Sequence, residues 1–232
     1  MQILDYLILL TMAYLIGSIP FGLLFVKLFT GKDIRRVESG RTGGTNAMRA
    51  AGFGAGFLTA IMDLLKGAAV VWIARLLFPL QANSANAWIH VLAPLATILG
   101  HNYSIYLVSR NEKGKLHLRG GAGGAPSTGG ALGLWAPSIL IIIPVAGAVL
   151  FGVGYASLAT LSVGLLATII FAYRAWIGLS PWQYVLYGVV ALGLLAYSLR
   201  PNIKRLIMGN ERLIGWRARH KLQVPPSASN PT

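Results

Sequence analysis

The segment from Glu38 to Arg49 reads Glu-Ser-Gly-Arg-Thr-Gly-Gly-Thr-Asn-Ala-Met-Arg, and its residue types suit the binding of an oxyanion. Glycines at 40, 43 and 44 let backbone N–H groups converge, while Ser39, Thr42, Thr45 and Asn46 supply short side-chain donors. Arg49 follows within a helical turn and adds a fixed cation, which completes what a phosphate group needs. The same composition also fits a glycine-turned loop at a membrane surface, and that reading stays open. A second glycine-rich stretch, 116–130, holds Gly120 and Gly121 in a position to form another anion cradle; it equally suits a linker or close helix packing through small residues. No G-x-x-x-x-G-K-[ST] run occurs, so a nucleotide phosphate loop is not supported.

Ionisable residues inside apolar runs default to functional hypotheses, and Asp63, Lys66 and His101 stand out. Asp63 and Lys66 are three apart on one helix face and can neutralise each other, or Lys66 can join an anion site. His101 can act as a base or a hydrogen-bond donor, or pack with one partner. His90 and His117 have no ligand-like companions, and four dispersed histidines make no metal site; neither metal nor cofactor is expected. None of the four starts a His-x-x-x-x-Asp sequence. The closing segment 200–211 is basic and amphipathic: first an interfacial anchor and, not excluded by that role, a lid or ligand clamp through Asn202, Lys204 and Glu211.

The elements that must position these residues are membrane helices. Of 232 residues 55% are hydrophobic and 11% charged, too little polar surface for a chain that meets water all round. Apolar runs long enough to cross a bilayer begin with Ile3–Leu28, kinked near Pro20, and continue at about 54–78 and at Trp88–Val108. A short segment near 124–136 follows, then Ser138–Val153, Tyr155–Tyr173 and Trp182–Leu199, which makes about seven helices in an all-α integral membrane protein. The formal charge is +14, and 17 of the 20 lysines and arginines lie in three loops: around 27–49, at 110–119, and after 200. The loop at 79–87 carries no charge. The positive-inside rule therefore puts the basic loops in the cytoplasm, the amino terminus outside and the carboxyl terminus inside. Residues 1–211 read as one polytopic domain and 212–232 as a basic, disordered cytoplasmic tail. The positive charge points to membrane lipids rather than nucleic acid. The absence of cysteine removes thiol chemistry and disulfides.

Taken in order, Gly17-Ser-Ile-Pro-Phe-Gly22, Ser39-Gly-Arg-Thr-Gly-Gly-Thr-Asn46 with Arg49, Asp63-Leu-Leu-Lys-Gly67, Gly100-His101, a Gly-Gly loop, Tyr155-Ala-Ser157 and Arg200-Pro-Asn-Ile-Lys-Arg-Leu-Ile-Met-Gly-Asn-Glu211 resemble the bacterial acyl-phosphate:glycerol-3-phosphate acyltransferase family, the PlsY-like enzymes. The resemblance runs from residue 12 to about 211. It implies a seven-helix enzyme of the inner (plasma) membrane, a monomer, that moves a fatty acyl group from acyl phosphate to the 1-hydroxyl of glycerol 3-phosphate at the cytoplasmic face. Ser39, Asn46, His101 and Ser157 would be catalytic. Gly40, Gly43, Thr45, Arg49, Lys66, Gly120, Gly121, Arg200, Asn202 and Glu211 would bind substrate phosphate. The chain departs from the family pattern in four places. Arg41 stands where asparagine is usual, Ala122 replaces the lysine of Gly-Gly-Lys-Gly, Gly154 replaces an arginine, and Leu199 replaces a histidine. Extra residues, among them Arg110, Lys113, Lys115 and Arg119, precede the Gly-Gly loop, and Arg41 and Arg119 are the candidates to replace the missing charge. A silent or substrate-shifted paralogue and a small anion transporter or channel remain the competing readings.

Overall fold

The structure, a computed structural model, describes residues 2–110, 114 and 116–214. Lys113, Lys115 and residues 215–232, which hold most of the expected tail, lie outside the described residues. Helix α1 (Gln2–Ser18) and α2 (Phe21–Thr30) form one broken span. The break falls at Pro20, whose ring leaves no N–H for the helical ladder. Helix α3 (Gly44–Leu77) is longer than the expected 54–78 because it starts in the first glycine loop and absorbs a break at Gly52, φ 86°. Then come α4 (Asn86–Asn102), α5 (Gly124–Leu134), α6 (Ile139–Ala148), α7 (Ala156–Trp176), α8 (Gln183–Ser198) and the short α9 (Arg200–Ile207), bent 69° from α8.

Among the described residues four helices are long and apolar enough to cross a membrane, or five if the bent α8–α9 pair is one span. The sequence expectation of about seven counts two more, α4 and α5, which differ for a physical reason. Helix α4 carries Asn86, His90, Thr97, His101 and Asn102, all buried, and α5 has 11 residues of which most are buried. Both are largely sheathed by neighbouring helices, and α4, 17 residues long, still exposes the apolar Trp88, Leu92 and Leu99. Helix α4 also stops short of the expected Val108. Its last carbonyls, His101 O and Asn102 O, accept from Gly121 N–H and Gly120 N–H at 2.9 Å each, an end cap supplied from a distant loop. A two-stranded antiparallel ribbon, β1 (Ser109–Arg110) with β2 (Leu116–His117), sits in that loop and was not expected.

Glycine sets the α3–α5 seam. A Cβ on Gly67 would meet Pro126 O, and one on Gly129 would meet Leu64 O, so the two backbones approach where no side chain intervenes. Gly129→Ala is expected to destabilise by about 1–3 kcal/mol through overpacking. Gly147→Ala, where a Cβ meets nothing within 4 Å, should be neutral or slightly stabilising, since alanine is the better helix former. Thermal unfolding of the two variants in one detergent checks the contrast; equal melting behaviour would show that the seam is not tightly packed.

The first residues of the expected tail contact the helical body. Arg212 pairs with Glu38, and Ile214 is buried with its N–H on Gly154 O at 2.8 Å.

Candidate active site

Three helices begin at one end of the bundle, and their first turns line a single cavity of about 210 Å³: Gly44–Asn46 of α3, Gly124 and Ala125 of α5, Ala156 and Ser157 of α7. None of the three starts has a side-chain cap. Each therefore presents unpaired N–H groups and the positive end of its dipole to the cavity, a fixed field that favours an anion. Leu199, Asn202 and Glu211 complete the wall from the α9 side.

Residues that line the cavity also hold buried polar atoms without protein partners among the described residues. Asn46, 3% exposed, donates through Nδ2 to Ile34 O (3.4 Å), Val37 O (3.0 Å) and Arg41 O (2.8 Å). Three carbonyls around one nitrogen settle which amide atom is which. Oδ1 is left buried with no partner among the described residues. The sequence suggested a donor to phosphate; the fold commits the donor to the loop and offers an acceptor. Asp63 Oδ2 and Ser157 Oγ are likewise buried and without a hydrogen-bond partner, and both residues line the cavity. Such orphaned groups are costly unless a ligand satisfies them.

Behind this wall lies a buried triad. Lys66 Nζ is 2.7 Å from Asp63 Oδ1, 2.9 Å from His101 Nδ1, and donates to Ile19 O at 3.1 Å. An ammonium carries only donors, so Nδ1 accepts and the proton of the neutral ring sits on Nε2. His101 lines the cavity and thus offers a donor, rather than the proton acceptor that was one of its two expected roles. A Cβ on Gly121 would overlap His101 Nε2, so glycine there admits the ring. Lys66, expected to hold phosphate, is absent from the cavity lining; its charge orients Asp63 and His101.

The first two basic loops are knitted to each other. Arg119 Nη2 donates to Ser39 O at 2.6 Å, and Arg41 Nη1 donates to Gly121 O at 3.0 Å. Arg41 also bonds Ser198 through both Oγ, at 3.0 Å, and the carbonyl. Burial, reinforced by the nearby Arg119 and Arg205, pushes its guanidinium down to about 10. A second, outer cavity of about 340 Å³ shares Ser39, Arg41, Arg49, Asn202 and Glu211 with the first and adds Arg35, Arg36, Arg119, Arg205 and Arg212. Glu211 accepts from Asn202 Nδ2 at 2.8 Å and Arg205 Nε at 3.1 Å, which folds the segment after α9 back onto that helix.

Of the residues singled out from the sequence, Ser39, Gly43, Thr45, Asn46, Arg49, His101, Ser157, Asn202 and Glu211 meet at the inner cavity. Gly40, φ 65°, lines only the outer one. Gly120 and Gly121 line neither, and their N–H groups already cap α4, so they form no anion cradle of their own. Arg200 lies outside both cavities, its Nε on Tyr197 O at 3.1 Å and its guanidinium stacked on the Tyr197 ring. Asp63 was read only as a charge pair, and its place in the wall was missed although its position inside an apolar run was the available signal.

Bundle and cavity together define a helical membrane protein with a cation-lined polar cavity at one end. The comparisons with known proteins make this specific. Residues 7–209 match the family described as glycerol-3-phosphate acyltransferase. A glycerol-3-phosphate acyltransferase of Rubrobacter xylanophilus is 34% identical over 91% of this chain and 96% of its own length, and one of Thermus thermophilus is 35% identical over 90% and 95%. Among solved structures, the crystal structure of PlsY, an integral membrane glycerol 3-phosphate acyltransferase, in its glycerol 3-phosphate form superposes with a TM-score of 0.76 at 30% identity, covering 95% of this chain and all of that one. Its lysophosphatidic acid form gives 0.73 at 28% identity, over 91% and 96%. The chain belongs to the PlsY-type glycerol-3-phosphate acyltransferase family.

Proposed function

We propose that this chain transfers a fatty acyl group from acyl phosphate to the 1-hydroxyl of glycerol 3-phosphate, giving lysophosphatidate and inorganic phosphate for phospholipid synthesis. One observation carries the reading. The same cavity joins cationic side chains and three uncapped helix starts, suited to phosphate, with buried orphaned acceptors, suited to hydroxyl groups. Phosphate oxygens meet Arg49, Ser39, Thr45 and the helix N–H groups. Glycerol hydroxyls donate to Asn46 Oδ1 and Asp63 Oδ2. The hydroxyl oxygen bonds to the acyl carbonyl carbon, the carbon–oxygen bond to phosphate breaks with its electrons, and the proton passes to the departing phosphate. Because acyl phosphate is already activated, positioning and charge stabilisation account for the rate. Ser157 Oγ and His101 Nε2–H are the neutral donors available to the carbonyl oxygen.

The loops that build this site carry most of the positive charge, which supports about seven transmembrane helices with the amino terminus outside and the carboxyl terminus and site cytoplasmic; residues 1–211 would form one domain working as a monomer in the inner (plasma) membrane. The transporter reading is disfavoured because Lys66 and His101 are turned onto each other and onto Ile19 O, not toward a continuing path.

The test is turnover by purified protein in lipid mesophase with palmitoyl phosphate and glycerol 3-phosphate. Arg49→Ala should raise KM for one phosphorylated substrate about tenfold or more, the loss expected of one charge-assisted bond. Turnover by the native chain that Arg49→Ala leaves unchanged would remove Arg49 from the site; binding without turnover would favour the silent paralogue.

A further inference from the structure

We propose that Arg41 is a phosphate-binding residue of the inner cavity and takes the place of a basic residue in the Gly120–Gly123 loop, which in this chain has none. The proposal rests on the acyltransferase reading above. Four features of the geometry lead to it.

Arg41 lines both cavities, so its guanidinium stands at the seam through which a phosphorylated molecule would pass. Its placement is built: Nη1 is fixed on Gly121 O and Ser198 Oγ, Nη2 on Ser198 O, and its own carbonyl on Asn46 Nδ2. A guanidinium has five N–H donors. The two on Nη1 and one on Nη2 are thus committed, which leaves Nε–H and the second Nη2–H. The bond to Gly121 O sets the charge beside Ala122, a cavity-lining residue with no charge of its own.

The charge also lacks a counter-ion. Among the described residues no carboxylate pairs with Arg41; Glu38 is taken by Arg212 and Glu211 by Arg205. Its charged neighbours Arg119 and Arg205 are cations that oppose its positive form. A largely buried guanidinium held among other cations is expensive without an anion, and a planar fork with donors to spare suits a phosphate monoester. Either the phosphate of glycerol 3-phosphate or that of the acyl donor has this chemistry.

The experiment compares R41N, R41K, A122K and R41N/A122K with the native enzyme, measuring kcat and KM for each substrate separately and the binding of inorganic phosphate by calorimetry. R41N is expected to raise KM at least tenfold for one of the two phosphorylated substrates, that substrate naming the phosphate held, and to weaken phosphate binding to match. R41K should retain part of the affinity. R41N/A122K should regain most of what R41N loses, because the charge returns to the same corner from the other loop. A122K in the native background should give no gain. This last variant keeps the question decidable if R41N does not fold: a tenfold or larger rise with A122K would mean that the corner lacked its cation, and would overturn the proposal. Unchanged KM values in a folded R41N would overturn it while the native enzyme's turnover leaves the acyltransferase reading intact. Failure of the native chain both to turn over and to bind phosphate would bring down that reading and this proposal with it.

Discussion

Lys66→Met should destabilise the protein by about 3–5 kcal/mol, the cost of leaving one member of a buried ion pair without its partner. Asp63 and Lys66 are 1% and 4% exposed with 2.7 Å between Oδ1 and Nζ, so methionine would leave the buried carboxylate without its counter-charge. The same change should abolish activity, because Lys66 fixes the tautomer of His101 and turns Asp63 Oδ2 toward the cavity. Asp63→Asn/Lys66→Met removes both charges and should recover most of the stability, since replacing a whole buried pair is often neutral. It should remain inactive, having lost the carboxylate that meets the hydroxyl. Thermal unfolding in detergent and initial rates on the three proteins separate the effects. A stable, active Lys66→Met would show that the triad neither supports the fold nor orders the site. An active double variant would take Asp63 out of the mechanism.

The triad also shows which parts of the site were legible in the sequence. A spacing of three puts Asp63 and Lys66 on one helix face, so their pairing follows from helical geometry. That His101 closes the triad does not, because it arrives from α4, 35 residues away from Lys66. The long apolar runs marked most helices, since a hydrophobic stretch records its own burial in lipid. Helix α5 and the end of α4 were less legible: α5 is defined by what covers it, and α4 ends where Gly120 and Gly121 reach its carbonyls. The glycines at 120 and 121 looked like a phosphate cradle because composition records that backbone can approach closely, not what approaches it. Arg41 illustrates the same limit. Its contacts are 80 and 157 residues away in sequence, so nothing in the motif around it reveals that it faces Gly121 and Ser198. Ser39, Thr45 and Arg49 were legible because a helix start gathers its own neighbours into one place.

Asn46→Ala should lower kcat/KM by about 10²–10³-fold, for a reason different from the loss of a phosphate donor. Its Nδ2 holds Ile34 O, Val37 O and Arg41 O, which together shape the loop that carries Ser39 and Arg41 to the cavity. Three hydrogen bonds at about 0.5–1.5 kcal/mol each span roughly one to three powers of ten when the loop that they hold positions the reacting groups. Loss of the Oδ1 acceptor for a glycerol hydroxyl adds to this. Hydrogen exchange over residues 34–41 should therefore accelerate in Asn46→Ala, and KM should rise for both substrates, since the displaced loop serves the whole cavity. Arg49→Ala, which removes a half-exposed cation without a side-chain role in the loop, should leave that exchange as it is. If Asn46→Ala loses activity while its loop stays as protected as in the native protein, the amide acts on the ligand directly and the scaffold role argued from its three carbonyl partners is wrong.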